Sequence, residues 1–193
     1  MNRETILLAV PLLCAMAVMG WIVWSLRPPA HVPASVPAVG TAETAALPVL
    51  DEQRIAALRT ETEADPASVD SRVALGDLYF DAHRFDQAIP WYEQALALRP
   101  DLVEVSTDLG VSYYYVDQPG RAVAQFERSL EVDPSHAKTH LNLGIVKAFG
   151  LQDLDGAMLA WERVIEIAPE SAEAIAARDA IDRIGGAHAG AAS

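Results

Sequence analysis

Hydrophobic and polar positions follow three different patterns along the chain, and each predicts a different kind of structure. From Thr5 to Leu26 the 22 side chains carry no charge and nearly all are apolar. A helix of that length spans about 33 Å, enough for a hydrocarbon core of about 30 Å. Residues 1–27 are therefore expected to form an N-terminal transmembrane anchor. Trp21 and Trp24 stand near its end, where indole rings favour the interface, and Pro11 is tolerable in a membrane helix. A cleaved signal peptide has a shorter apolar run, about 7–15 residues, before a small-x-small site. Here Arg27-Pro28-Pro29 follows directly, which favours retention. Cys14 does not read as a lipidation site, because Leu13 before it is bulky and the apolar run continues past it.

The second pattern has almost no charge and many prolines and alanines. Residues 28–48 cannot bury a core and are expected to form a flexible linker, reaching about 60 Å in a polyproline-like state. The third pattern begins at residue 49. Apolar residues recur there at helical spacing in stretches of 10–15 residues, every second one closed by a proline.

Those stretches repeat. Leu75-Gly76 recurs as Leu109-Gly110 and Leu143-Gly144 in steps of 34 residues, and Tyr79 recurs as Tyr113. Ala88 with Tyr92 recurs as Ala122 with Phe126 and, one residue late, as Ala157 with Trp161. Pro66, Pro100, Pro134 and Pro169 keep the same phase. In physical terms, Leu, Gly and Tyr share one side of a first helix, and the missing Cβ of the glycine lets a second helix approach. The alanine opens the packed face of that second helix, and the aromatic residue one turn later fills the space. The prolines end each second helix. Asp101, Ser135 and Glu170 then suit the start of the next helix, and Asp86 suits the cap of a second helix that carries Pro90 in its first turn.

In these registers the chain resembles the tetratricopeptide repeat family over residues 66–171. The resemblance implies an all-α fold, a helix-turn-helix right-handed superhelical solenoid, with three repeats at about 69–102, 103–136 and 137–171. Residues 49–65 read as a capping half-repeat with Leu58 at the aromatic position. Residues 172–184 read as a capping helix with Ile175, Ala176, Ala180 and Ile184 inward, stopped by Gly185-Gly186 before a disordered tail, 185–193. The third repeat departs most from the pattern. Lys147 stands at the tyrosine position, and the stretch Gly150–Gly156 carries one extra residue.

The resemblance also implies that the first helices line a concave groove that binds peptides. At helical spacing beside the packed face lie Val73, Asp77, Phe80, Thr107, Asp108, Val111, Tyr114, Leu141 and Ile145, the expected peptide-binding positions. Tyr114 turns about 100° from Tyr113 and so faces a different surface. The chaperone-binding version of the family clamps a terminal carboxylate with Lys and Asn. Here Val73, Asp77 and Asp108 stand where those groups are needed, which argues against such a clamp. The expected partner is a protein segment with apolar and basic residues.

Composition narrows the function. The chain holds 14 basic and 27 acidic side chains in 193 residues, a net charge of −13, which disfavours a nucleic-acid partner. The deficit lies wholly beyond residue 50, because Arg3 and Arg27 balance Glu4 and Glu43 before it. One cysteine allows no intrachain disulfide and no cysteine-based zinc site. No nucleophile elbow, Walker loop, zinc-protease helix or dinucleotide fingerprint is present, so no enzymatic activity, catalytic residue or cofactor is expected. His136 and His140 lie four apart, at metal-ligand spacing, but without an evident third ligand they read as structural. An anchor, a Pro/Ala linker and a short repeat domain are similar in layout to bacterial envelope repeat proteins, including those assisting cytochrome c maturation. That places the protein, as an expectation, in the bacterial inner (cytoplasmic) membrane as a single-pass scaffold with its repeats on the periplasmic side. A self-assembling homo-oligomer, or a metal- or haem-handling domain at His136/His140, are the other readings.

Overall fold

The computed structural model describes residues 50–191, with side chains to residue 185. The expected anchor, linker and most of the tail's side chains lie outside the described residues. Within them the fold is all-helical, with eight helices: α1 (Glu52–Ala64), α2 (Val69–Asp81), α3 (Phe85–Leu98), α4 (Val103–Tyr115), α5 (Pro119–Val132), α6 (Ala137–Ile145), α7 (Leu154–Ile167) and α8 (Ala172–Ala191). Each packs chiefly on its chain neighbours, the arrangement of a solenoid of helix pairs. The pairs α2/α3, α4/α5 and α6/α7 are the three repeats, with α1 and α8 covering the ends.

The glycines explain the pairing. A Cβ placed on Gly76 would lie 2.3 Å from the Tyr92 ring, one on Gly110 2.4 Å from Phe126, and one on Gly144 2.3 Å from Trp161. All three rings are fully buried, as are Ala88, Ala122 and Ala157 one turn earlier on the second helices. Leu58 occupies the corresponding place on α1, 1% exposed. Between first and second helices the chain turns through a left-handed residue, His83, Asp117 or Gln152, at φ between 56° and 60°. In the first two repeats the amides of Arg84 and Gln118 close the turn on the carbonyls of Tyr79 and Tyr113. In the third, the extra residue is absorbed earlier, as a π-helical turn over Val146–Gly150 that continues α6.

Several local expectations are corrected. Asp101 and Ser135 do not cap helices. The side-chain caps are Asp51, Ser68, Asp153 and Ser171, which accept from the amides of Arg54, Ser71, Gly156 and Ala174, while Leu102 and His136 precede α4 and α6 without a side-chain cap. Asp65 and Asp133 instead fold the proline turns, accepting from the amides of Ala67 and Ser135. The Ser135 hydroxyl, with the Ser135 amide, donates to Asp133 and holds its carboxyl below the usual carboxylate range. Asp86 lies inside α3 rather than capping it, and Pro90 is the sixth residue of that helix, where its outward ring is exposed. On α8 the buried residues are Ala174 and Ala177, with Ala180, Ile181 and Ile184 packed against the same cluster, whereas Ile175 is 57% exposed and Ala176 is exposed. The inward face is thus rotated from the expected one. Nor does Gly185-Gly186 stop α8, which runs to Ala191. A helical glycine costs only about 1 kcal/mol relative to alanine, and no proline follows.

The buried core falls into two clusters. The larger joins residues of α1 to α6 and the start of the π-turn, from Ile55 to Val146 and Ala160. The smaller gathers Ala148, Ala157, Trp161, Val164, Ala174 and Ala177.

The contact of glycine with ring yields a first prediction. Gly110→Ala should destabilise the domain by about 1–3 kcal/mol, because its Cβ overlaps the Phe126 ring. Adding Phe126→Leu should recover part of that loss. Additive effects of the two substitutions in a denaturant double-mutant cycle would disprove the contact.

Candidate peptide-binding groove

The groove is built from one face of each first helix. Val73, Phe80, Val111 and Tyr114 are half-buried against the larger core cluster, and Leu141 and Ile145 against the smaller. Each seals the seam between repeats with one flank and leaves the other flank open. Thr107 does not belong with them. It is fully buried, its hydroxyl donating to the Val103 carbonyl at 2.8 Å and lying 2.6 Å from the Thr139 hydroxyl. Helical counting put it on the groove side, but α6 covers that position and Thr139 meets it there.

Charge on this face is organised by Lys138. Its ammonium donates to Asp108 at 2.9 Å and to Glu104 at 3.1 Å, tying α6 to α4. Burial works against the Lys138 charge, but the hydrogen bonds and charges of Asp108 and Glu104 hold its pKa above the usual value. Glu104 also meets His136 Nε2 at 2.8 Å. Despite partial burial, these hydrogen bonds from His136 and Lys138 keep the Glu104 carboxyl below its ordinary range. Asp108 goes the other way. Burial raises its carboxyl pKa, and Lys138 only partly offsets this.

On α2, Asp77 accepts a 2.9 Å hydrogen bond from the buried Tyr92 hydroxyl. Burial, with the charges of Asp108 and Asp81, raises the Asp77 pKa, and the Tyr92 phenol is held protonated by burial and by Asp77. Asp77, Asp81 and Asp108 therefore feel one another as like charges, and Lys138, the cation among them, is already paired.

Two features were not read from the sequence. The first is an apolar pocket of about 720 Å³ where α6 and its π-turn diverge from α8. Leu141, Ile145 and Phe149 form one wall, Leu154 and Trp161 the floor, and Ala176, Ala180 and Ile184 the other wall, with Asp179 and Arg183 also lining it. Phe149 is 66% exposed. The second is Tyr115, 63% exposed and stacked on Phe85 with ring centres 4.4 Å apart. Tyr114 turns aside from it toward the π-turn. A Cβ on Gly150 would lie 3.1 Å from Tyr114 and 2.8 Å from Pro119. The tyrosine run pointed to an unusual surface, but no local signal reveals where α8 lies against α6.

The histidines are engaged within the protein. His136 Nδ1 lies 2.6 Å from the Thr139 hydroxyl, and His140 Nε2 lies 3.0 Å from the Pro134 carbonyl. Among the described residues no group of three or more His, Cys, Asp or Glu is placed to hold a metal ion. On the opposite side, Tyr113 donates to Glu93 at 2.5 Å while Arg121 lies 4.0 Å over its ring. Burial and Glu93 push the Tyr113 hydroxyl up to about 12. Lys147, at the corresponding position of the third repeat, pairs instead with Asp153 at 3.7 Å.

Family profiles described as TPR repeat and tetratricopeptide repeat match residues 63–115 and 107–173. The chain belongs to the tetratricopeptide repeat family. It is 28% identical over 120 residues to human RNA polymerase II-associated protein 3, a stretch covering 60% of this chain and 18% of that protein. Among solved structures, the crystal structure of MamA is similar at a TM-score of 0.58 and 26% identity, over 60% of this chain and 67% of that one. The first TPR of Spaghetti (RPAP3) bound to the HSP90 peptide SRMEEVD shares the fold at a TM-score of 0.54 and 23% identity, over 72% of this chain and 97% of that one. Among the described residues no helix is long and apolar enough to cross a membrane.

The raised pKa of Asp77 sets a second prediction. Because the folded state resists its ionisation, the charged carboxylate lowers stability above the folded pKa, and the effect vanishes below the ordinary Asp value of 3.8. Asp77→Asn, which keeps an acceptor for Tyr92, should therefore raise the melting temperature at pH 7 and leave it nearly unchanged near pH 3. A lower melting temperature at pH 7 would show that the carboxylate charge supports the fold.

Proposed function

We propose that this protein is a membrane-tethered scaffold without enzymatic activity that holds a protein segment along the groove of its first helices. The observation that carries this reading is the groove itself. Val73, Phe80, Val111, Tyr114, Leu141 and Ile145 leave apolar flanks open on one side, beneath a rim rich in carboxylates. The segment that fits is apolar with basic residues. An acidic peptide such as the SRMEEVD bound by the Spaghetti domain would meet Asp77 and Asp108, and the ammonium of Lys138 is already taken by Asp108 and Glu104. Apolar anchors would supply most of the affinity, and the carboxylates would set orientation and association rate.

Tethering rests on the charge-free run Thr5–Leu26 and the Pro/Ala linker after it. From this layout we infer that the repeats lie on the periplasmic side of a bacterial inner membrane and serve the assembly of an envelope complex. Cytochrome c maturation is the narrower pathway suggested by layout alone. A second reading, self-assembly, is favoured by Leu159 and Ile175, which are 68% and 57% exposed. Concentration-dependent sedimentation of the full chain would distinguish it.

Two outcomes test the main reading. The chain should remain in membranes after an alkaline carbonate wash, and recovery in the soluble fraction would refute the anchor. Tyr114→Ala should weaken capture of the crosslinked partner by about 1–2 kcal/mol or more, with an unchanged helical circular dichroism spectrum guarding against a folding defect. A partner held equally well by the Tyr114→Ala variant would move the binding site off the groove.

A further inference from the structure

The groove is unlike at its two ends. Over α2 and α4 it is acidic, with Asp77, Asp81 and Asp108 sharing one field and without a free cation among the described groups that face them. Over α6 and α8 it deepens into the 720 Å³ pocket between Ile145, Phe149, Trp161 and Ala180. Leu141 and Ile145 belong to both the pocket and the stripe, so the two ends form one continuous surface. A pocket of this size, walled by aliphatic and aromatic groups, takes an apolar side chain or two rather than a whole helix face. The spacing follows from helix packing. Neighbouring helices lie about 8–10 Å apart, so the pocket beside α6 and the acidic groups of α2, Asp77 and Asp81, are separated by two such steps, about 20 Å.

From this we infer that the partner segment is itself polarised: a bulky apolar anchor enters the α6/α8 pocket, and basic residues about 20 Å away lie over Asp77 and Asp81. In a helical segment that separation is about 13 residues, and in an extended one about 6. The inference rests on the groove reading above and adds the partner's internal order. Anchor and charge are matched by distance, so either direction of the partner segment gives the same fit.

The test uses the full chain in lipid nanodiscs and synthetic probes read by fluorescence anisotropy. The reference probe is an Ala/Gln helix of about 18 residues with Phe and Leu one turn apart near one end and two Lys about 13 residues further on. Changing Phe and Leu to Ala should weaken binding at least about tenfold, the scale of one buried side chain. Changing Lys to Glu should weaken it comparably in low salt. On the protein, Ala176→Arg, at an exposed position lining the pocket, should remove the dependence on Phe and Leu, and Asp81→Lys should remove the preference for Lys over Glu. Helical circular dichroism should be unchanged in both variants. Equal binding of the Glu probe or of the Ala probe would overturn the inference. So would equal binding of a probe with Lys only about 5 residues from the anchor, or self-association that Ala176→Arg abolishes. Binding lost in Tyr114→Ala but untouched by Ala176→Arg and Asp81→Lys would leave the groove reading standing and sink this one. Binding untouched by all three would sink both.

Discussion

Every helix pair in this solenoid depends on an absent atom. At Gly76, Gly110 and Gly144 an aromatic ring from the second helix occupies the space a Cβ would need, at separations no side chain could accept. The contact fixes how near the two helices approach and which faces of them remain outward. From it follow the burial of Ala88, Ala122 and Ala157, the tight left-handed turns at His83, Asp117 and Gln152, and the open face on which the groove is built. Because the ring differs in each repeat (Tyr, Phe, Trp), the partners outside it differ too. Tyr92 reaches through to hydrogen-bond Asp77 in the groove, Phe126 has nothing to offer, and the Trp161 indole donates to the Leu141 carbonyl. The core residue thereby leaves a different polar signature on each repeat's surface.

Short-range spacing was the part of the fold most legible in the sequence. The Leu-Gly pairs, the aromatic positions and the closing prolines all stand where their periodicity puts them, whereas the extra residue of the third repeat, expected within Gly150–Gly156, is absorbed earlier, in the π-turn. The failures share a cause. Thr107 was assigned to the groove because a helical wheel reports direction about one helix axis, not whether the next helix covers it. The inward face of α8 was misplaced because a terminal helix has no second copy to fix its phase. Ser135 does not cap α6 because Asp133 holds it in the proline turn, so the helix starts two residues later. The apolar pocket was invisible for the same reason as the α8 face, since it is the gap between a repeat and its cap.

Electrostatics give the groove its character at little cost to the fold. Lys138 joins the second and third repeats through Glu104 and Asp108, so one of those two carboxylate charges is offset within the protein. The acidity left over gathers on α2 and its neighbours, while the cap end stays apolar. A surface divided in this way discriminates by arrangement more than by total charge, because a partner with the right composition in the wrong order leaves one end unpaired.

The π-turn after Ile145 also reaches beyond geometry. By inserting its extra residue where the core changes from the larger buried cluster to the smaller, it gives the array a seam. Repeat arrays gain stability from each unit and from each junction between units. Because Trp161 also sits on Gly144 of α6, the unit that such a seam would free is the third repeat with its cap, α6 to α8, opening while the first two repeats stay closed.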